Sequence, residues 1–208
     1  RPRIFQVPRL VVRRDSVRIA VTALVDLPAA LGGRLTMAAT QLLFQQDEDR
    51  SWDVTIDIDD IDLSGVSALH GAQAAQFSSG SGDLDLSLVI ANGIVQSAVV
   101  DIDFQDVDVG DETGFSINGL FEFQSNIDGW LVAANHYQLQ TEGGEWPDSS
   151  LRVEATTGSE GQITMLDARA SYINLADIGV LNPWLTRQQR DLVEAYNPDG
   201  AVRDLVAT

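Results

Sequence analysis

The sequence predicts a mainly β fold: a strongly curved antiparallel sheet, arranged as a groove-like meander, with a few short helices near 66–76 and 175–196. Three observations predict it. Apolar and polar residues alternate along most of the chain, as in strands with one buried and one solvated face. Turn-forming residues separate the alternating runs at short intervals. Two runs change phase midway, as strands do at β-bulges, and bulges bend a sheet.

The alternating runs define the expected strands in chain order. Each run places its apolar side chains on one face, because successive residues of a strand point to opposite sides. Around Gly119 the pattern continues from Phe115 and Ile117 to Phe121 and Phe123. The runs lie at 17–23, 54–58, 84–88, 98–104, 115–123, 131–139, 151–155, 166–172 and 201–207.

The two phase changes each amount to one residue. Apolar positions 54, 56 and 58 are followed by 61 and 63, and positions 100, 102 and 104 are followed by 107 and 109. One extra residue in a strand would return the later apolar side chains to the same face. We therefore expect a β-bulge in each of these two strands.

Glycine, asparagine and aspartate mark the connections between strands. Asn92-Gly93 lies between two apolar alternations, which is a strong signal for a tight hairpin. The glycine- and serine-rich stretch 78–82 is interpreted as another break between strands. The chain is expected to be a single segment, 1–208, with a candidate sub-boundary near 77–82. Further breaks are expected at 31–34, 47–50, 128–129, 143–144 and 158–161.

Helical signals are few. Val66–Gln76 is expected to form one short helix, with Ser64 as its candidate cap. Apolar residues at 175, 178, 181 and 185 have helical spacing, which Asn182-Pro183 interrupts. Thr186 followed by Gln189 matches a capping box and predicts a helix over Arg187–Tyr196.

Composition excludes most catalytic chemistry. The chain has no Cys and no Lys, and its two His, His70 and His136, are isolated. Disulfides, thiolate metal sites, lysine nucleophiles and P-loops are therefore excluded, and no Gly-x-Ser-x-Gly elbow is present. The net charge of −18 would repel a phosphate backbone, so we expect no nucleic-acid partner. We expect a non-enzyme with no catalytic residue, no metal and no cofactor.

Positive charge is concentrated at the start of the chain. Residues 1–20 hold six Arg and one acid, whereas residues 21–150 hold two Arg and 22 acids. The early arginines either contact anionic lipid headgroups or, in the interpretation that we favour, face solvent on an edge strand. They are Arg1, Arg3, Arg9, Arg13 and Arg14.

Two aspartate clusters suggest a calcium-dependent binding module as an alternative function. Neither cluster has the glycine and glutamate spacing of a calcium loop. Both alternate with apolar residues, so we favour a solvated sheet face that resists aggregation. The clusters are Asp57, Asp59, Asp60 and Asp62, and Asp101, Asp103, Asp106 and Asp108.

Several short motifs follow one another in a characteristic order. Asp26–Leu35 contains Leu-Pro and Gly-Gly, Trp52 opens a strand that ends near Leu63, and Asp128-Gly129-Trp130-Leu131 follows. Later come Gly143–Leu151, with Trp146-Pro147, then Ala170–Ile178 and Tyr196–Leu205, with Asn197-Pro198-Asp199-Gly200. This succession resembles the central region of the YhdP family, large AsmA-like proteins of the Gram-negative envelope. The resemblance spans nearly the whole chain.

The resemblance implies a segment of a larger repeating β-groove protein. It implies a periplasmic location, with attachment to the inner membrane through an N-terminal helix outside this sequence. It also implies movement of phospholipid between the inner and outer membranes without catalytic residues. Flanking segments of the same protein and phospholipid acyl chains would then be the partners.

The alternation supplies candidates for the side chains that line such a groove. An apolar face of a bent sheet can hold acyl chains, or it can pack as a closed core in a structural, scaffolding module of the envelope. The candidate groove residues are Val100, Ile102, Phe104, Phe115, Ile117, Phe121 and Phe123.

Overall fold

The computed structural model describes residues 6–43, 50–70, 77–109, 112–158, 162–177, 187–196 and 198–207. Within these ranges the chain forms twelve strands and two helices. The elements, in chain order, are β1 (Gln6–Arg14), β2 (Arg18–Asp26), β3 (Arg34–Leu42), β4 (Ser51–Asp62), α1 (Leu63–His70), β5 (Phe77–Ala91), β6 (Ile94–Val109), β7 (Glu112–Asn126), β8 (Gly129–Thr141), β9 (Gly144–Glu145), β10 (Ser149–Thr157), β11 (Ile163–Asn174), α2 (Arg187–Tyr196) and β12 (Ala201–Ala207).

All the described strands belong to one antiparallel sheet. Each strand pairs with its predecessor in the chain, except that β10 pairs with β8, while the two-residue β9 also pairs with β8. The sheet order ends at β1 on one side and β12 on the other, so the sheet is not closed. The predicted mainly β, curved antiparallel meander is confirmed.

The predicted phase changes are β-bulges. The register between β4 and β5 shifts between Ile58 and Ile61, and that between β6 and β7 shifts between Phe104 and Val107. Asp60 and Asp106 lie within these shifts and have φ angles of 53° and 51°. Aspartate tolerates this left-handed conformation better than most residues. The sequence therefore places a suitable residue where each strand bends.

Helix α1 begins earlier than the expected Val66–Gln76, and its cap is not Ser64. Asp62 is the cap: its Oδ1 accepts hydrogen bonds from Ser64 Oγ at 2.6 Å and from Gly65 N at 3.0 Å. These hydrogen bonds, the one from Ser64 first, lower the pKa of Asp62 below its ordinary value. Residues 71–76 of the expected helix lie outside the described residues.

The most deeply buried apolar cluster lies beside α1, where β4 and β6 end. It consists of Ile61, Leu63, Val107 and Val109. Their side chains follow the two bulges, so each bulge turns the end of its strand into this cluster. Further side chains packed against it are Ile58, Val66, Phe77, Phe104 and Phe115.

The prediction of a break between strands at 78–82 is wrong, because β5 runs through these residues. The glycines serve a close approach between strands and do not form a turn. A Cβ at Gly82 would lie 1.9 Å from the carbonyl oxygen of Asp103, and Gly80 has a φ of 120°. The sub-boundary near 77–82 stays a prediction, although β5 pairs with both β4 and β6 there.

Two other local predictions are confirmed. Asn92 and Gly93 form the hairpin turn between β5 and β6, with φ angles of 53° and 76°, as a type I′ turn requires. Helix α2 spans Arg187–Tyr196 as predicted, while Thr186 and residues 178–185 lie outside the described residues. Residues 175–177 form a single 3₁₀ turn.

Among the described residues, no helix combines the length and apolar character needed to cross a bilayer.

Candidate functional site

The seven candidate groove residues lie on the adjacent strands β6 and β7 and share one face of the sheet. Val100 is directly opposite Phe121, and Phe104 is opposite Ile117. Directly opposed residues of antiparallel strands point to the same side. All seven side chains are half-buried.

Two of the seven candidates differ from the others in their surroundings. Phe104 and Phe115 pack against the buried cluster beside α1. The remaining five lie farther along the strands, away from that cluster. The face is therefore closed at the α1 end and lined by half-exposed apolar side chains elsewhere.

The apolar face extends well beyond the predicted candidates. Register pairs link one apolar residue to the next across six neighbouring strands, from β4 to β10. This line consists of Val54, Leu88, Ala98, Phe123, Val132 and Val153. Alternation alone showed that each strand has an apolar side, but the line across the sheet depends on strand order and register.

The described part of the chain places little over this face. Helix α1 packs on β5, at the end of the sheet that holds the buried cluster. Along the line just described, Ala98 is the one buried side chain and the other five are half-buried. A closed core would bury such residues more completely.

A tyrosine covers a gap in this face. Gly119 lies opposite Tyr137, and a Cβ at Gly119 would come within 2.7 Å of the Tyr137 Cβ. The Tyr137 ring also contacts the Phe121 ring, with centroids 6.1 Å apart. Burial raises the pKa of the Tyr137 hydroxyl. An aromatic side chain beside a strand glycine restores contacts that the glycine cannot make.

The opposite face is acidic. Asp57 is directly opposite Asp85, which is directly opposite Asp101, so three carboxylates cross three strands in a row. Burial, followed by repulsion from Asp85, raises the pKa of Asp57. Like charges in this arrangement destabilise a sheet, so the acidic face carries an electrostatic cost.

Several aspartates of the two clusters have separate structural roles. Asp62 caps α1, and Asp60 and Asp106 lie in the bulges. Asp108 accepts a hydrogen bond from Ser79 Oγ at 2.7 Å. No group of three or more potential metal ligands occurs among the residues that the structure describes. The calcium-dependent alternative therefore gains no support from the geometry.

His136 lies within hydrogen-bonding distance of Asp148, with 2.8 Å between Nδ1 and Oδ2. The histidine side chain is 80% exposed. An exposed pair of this kind contributes little to stability. The side chain of His70 lies outside the described residues.

Comparison with known families supports the sequence resemblance. A family model described as YhdP protein matches residues 5–208. The chain belongs to the YhdP family. This membership makes it an AsmA-like protein of the bacterial envelope. No curated protein and no solved structure matches the chain.

Three of the motifs that resemble the YhdP family meet at one corner of the sheet. Trp146 Nε1 donates a hydrogen bond to Asp177 Oδ2 at 2.7 Å, and Asn174 Nδ2 donates to the same oxygen at 2.8 Å. The Trp146 ring packs edge-on against Tyr172, with centroids 5.3 Å apart. The Leu175 amide donates to the Gly200 carbonyl. These YhdP motifs thus join the β8–β10 connection to the end of β11 and the start of β12.

Proposed function

We propose that this chain is a periplasmic segment of an AsmA-like lipid-transfer protein, and that its apolar sheet face holds phospholipid acyl chains. In this proposal the segment helps phospholipid move between the inner and outer membranes and performs no covalent chemistry. The observation that carries the proposal is the line of six apolar side chains from Val54 to Val153, of which all but Ala98 are half-exposed. Membership of the YhdP family agrees with it.

The dimensions of the face suit an acyl chain. The line crosses five gaps between strands, which at about 4.8 Å each gives a width of about 24 Å. One leaflet of a bilayer has a hydrocarbon depth of about 15 Å, so an acyl chain of ordinary length fits on the face. Each CH₂ group that the face removes from water contributes about 0.8 kcal/mol.

The two faces of the sheet have different roles in this proposal. The apolar face binds acyl chains, and the acidic face, with Asp57, Asp85 and Asp101, stays in water and opposes edge-to-edge aggregation. The further partners that we propose are flanking segments of the same protein. We also propose attachment to the inner membrane through an N-terminal helix outside this sequence.

Native mass spectrometry with lipid extraction tests the proposal. The segment is expressed in a Gram-negative periplasm and purified without detergent. We expect phospholipid to co-purify with it. Phe121→Asn should lower lipid occupancy, because it places a polar amide on the apolar face.

Leu120→Asn is the matched control for that variant. Leu120 is the preceding residue, points to the acidic face opposite Asp101 and is 42% exposed. We expect it to leave lipid occupancy unchanged. A folded wild-type segment that carries no lipid would contradict the proposal and favour the scaffolding function. Unfolding of Phe121→Asn alone would instead place Phe121 in a closed core.

A further inference from the structure

A basic cavity lies on β1 to β3, away from the groove candidates. Its volume is about 850 Å³. Four arginines line it, namely Arg9, Arg13, Arg14 and Arg18. We call this feature the arginine cleft. Val11, Ala20 and Leu24 add half-buried apolar surface to its lining.

The arginine cleft lies mainly on the acidic side of the sheet, opposite the apolar face. Arg9 is directly opposite Leu24, and Arg13 is directly opposite Ala20. These residues alternate with Val12 and Arg14, which also line the cavity but point to the apolar side. A ligand held by the arginines of the acidic side therefore occupies a different surface from an acyl chain on the apolar face.

A single acid offsets part of the positive charge of the cleft. Asp15 is the one acid in its lining, and Asp15 pairs with Arg18, with 3.5 Å between Oδ2 and Nε. Asp15 Oδ1 also accepts hydrogen bonds from the Val17 and Arg18 amides. These backbone hydrogen bonds keep its pKa below the ordinary value. The Asp15 carboxylate is thus already occupied by partners within its own turn.

Three of the other arginines on the sheet have carboxylate partners, and Arg203 instead lies over the Tyr172 ring. Arg34 pairs with Asp26, Arg152 with Glu154, and Arg169 with Asp167. Among the described residues, Arg9, Arg13 and Arg14 form no such pair. Three guanidinium groups without carboxylate partners are unexpected in a chain with a net charge of −18, where acids outnumber arginines.

The spacing of the arginines suits a phosphate group. Arg18 lies two residues from Ala20, the partner of Arg13, and diagonal neighbours of this kind are about 7–8 Å apart. Arginine side chains on positions at that separation are long enough to bring both guanidinium groups onto one phosphate through paired N–H groups. Arg9 is four residues from Arg13 on the same face, about 13 Å away, within the same cavity.

From this geometry we infer that the arginine cleft binds a phosphate group, held between Arg13 and Arg18 and further attracted by Arg9. The ligand is a phosphate ester, either the headgroup of an anionic lipid at a membrane surface or a free phosphorylated molecule. This binding does not depend on acyl-chain binding, because Arg9, Arg13 and Arg18 lie on the opposite side of the sheet from the apolar face.

Calorimetric titration with inorganic phosphate at low ionic strength tests the inference. The decisive variant is Arg9→Gln/Arg13→Gln, which leaves Arg18 and its turn intact. The matched control is Arg152→Gln/Arg169→Gln, which removes the same charge from ion-paired positions on the same side of the sheet. We expect the first variant to weaken binding by about tenfold or more, and the control to bind as the wild type does.

Flotation with vesicles distinguishes the two sources of phosphate. Phosphatidylcholine vesicles are compared with vesicles that also contain phosphatidylglycerol. Binding that needs phosphatidylglycerol and is lost in Arg9→Gln/Arg13→Gln identifies a headgroup at a membrane surface. Binding of inorganic phosphate without vesicle binding identifies a free phosphate ester.

Two results would overturn the inference. One is that neither probe binds to the folded wild type, and the other is that the variant and the control lose binding affinity equally. Lipid co-purification with Arg9→Gln/Arg13→Gln separates this inference from the proposed function. We expect acyl-chain occupancy of that variant to match the wild type.

Discussion

Single carboxylates in this chain have opposite effects on stability, depending on their neighbours. Asp62 accepts two hydrogen bonds at the start of α1, and these lower its pKa. Asp57 faces Asp85, and burial together with that repulsion raises its pKa. In the sequence alone, both belong to one acidic cluster. Their different roles depend on the end of β4, where Asp62 leaves the sheet and begins a helix.

Asp62→Ala should reduce the free energy of unfolding by about 1 kcal/mol at pH 7, the usual effect of losing an N-cap. Because folding lowers the pKa of Asp62 from 3.8, its contribution is complete above that pH and is lost as the pH falls through the folded-state pKa. Urea denaturation at pH 7 and pH 3 measures both effects. The gap to the wild type should shrink at pH 3.

Asp62→Asn is the control for this variant, because asparagine also accepts a hydrogen bond from the helix amide. We expect it to retain much of the stability at pH 7. Equal losses of stability in the two variants would show that the hydrogen bonds donated by Gly65 N and Ser64 Oγ contribute nothing.

The sequence predicts the elements of the fold where a local residue pattern determines them. It predicts them less well where contact with a neighbouring strand determines them. Both bulges, the Asn92-Gly93 hairpin and α2 follow from the residues themselves. The start of α1 was missed because Leu63 continues the apolar alternation of β4. The strand through 78–82 was not predicted, because its glycines are required by the close approach of β6. Local composition does not reveal that approach.

Gly82→Ala should destabilise the sheet by about 2 kcal/mol, within the usual range for an overpacked site. The added methyl group would lie 1.9 Å from the Asp103 carbonyl oxygen, so β5 or β6 must move. Thermal unfolding followed by circular dichroism measures the change. Ser81→Ala is the control, because Ser81 is exposed and adjacent. A melting temperature for Gly82→Ala that equals that of the control would contradict the close approach.

At the scale of the whole molecule, the sheet keeps its two faces distinct across its strands. Alternation predicted the apolar side of β6 and β7, including Phe121 and Ile102. It did not predict that the same side continues through β4, β5, β8 and β10, because that depends on register across hairpins and bulges. The arginine cleft was likewise visible in sequence only as an excess of early arginines, since its concave shape arises from the packing of β1 to β3.

The acidic face makes the stability of the whole sheet depend on salt. Repulsion among carboxylates such as Asp57, Asp85 and Asp101 is screened over about 30 Å at 0.01 M salt but over about 3 Å at 1 M. We expect the melting temperature of the wild type to be higher at 1 M NaCl than at 0.01 M.

Asp57→Asn/Asp101→Asn should melt at a higher temperature than the wild type in low salt, because both substitutions remove repulsion on Asp85. It should also gain less from added salt, which separates screening from the general strengthening of apolar burial by salt. Equal gains for the variant and the wild type would show that repulsion on this face does not limit stability.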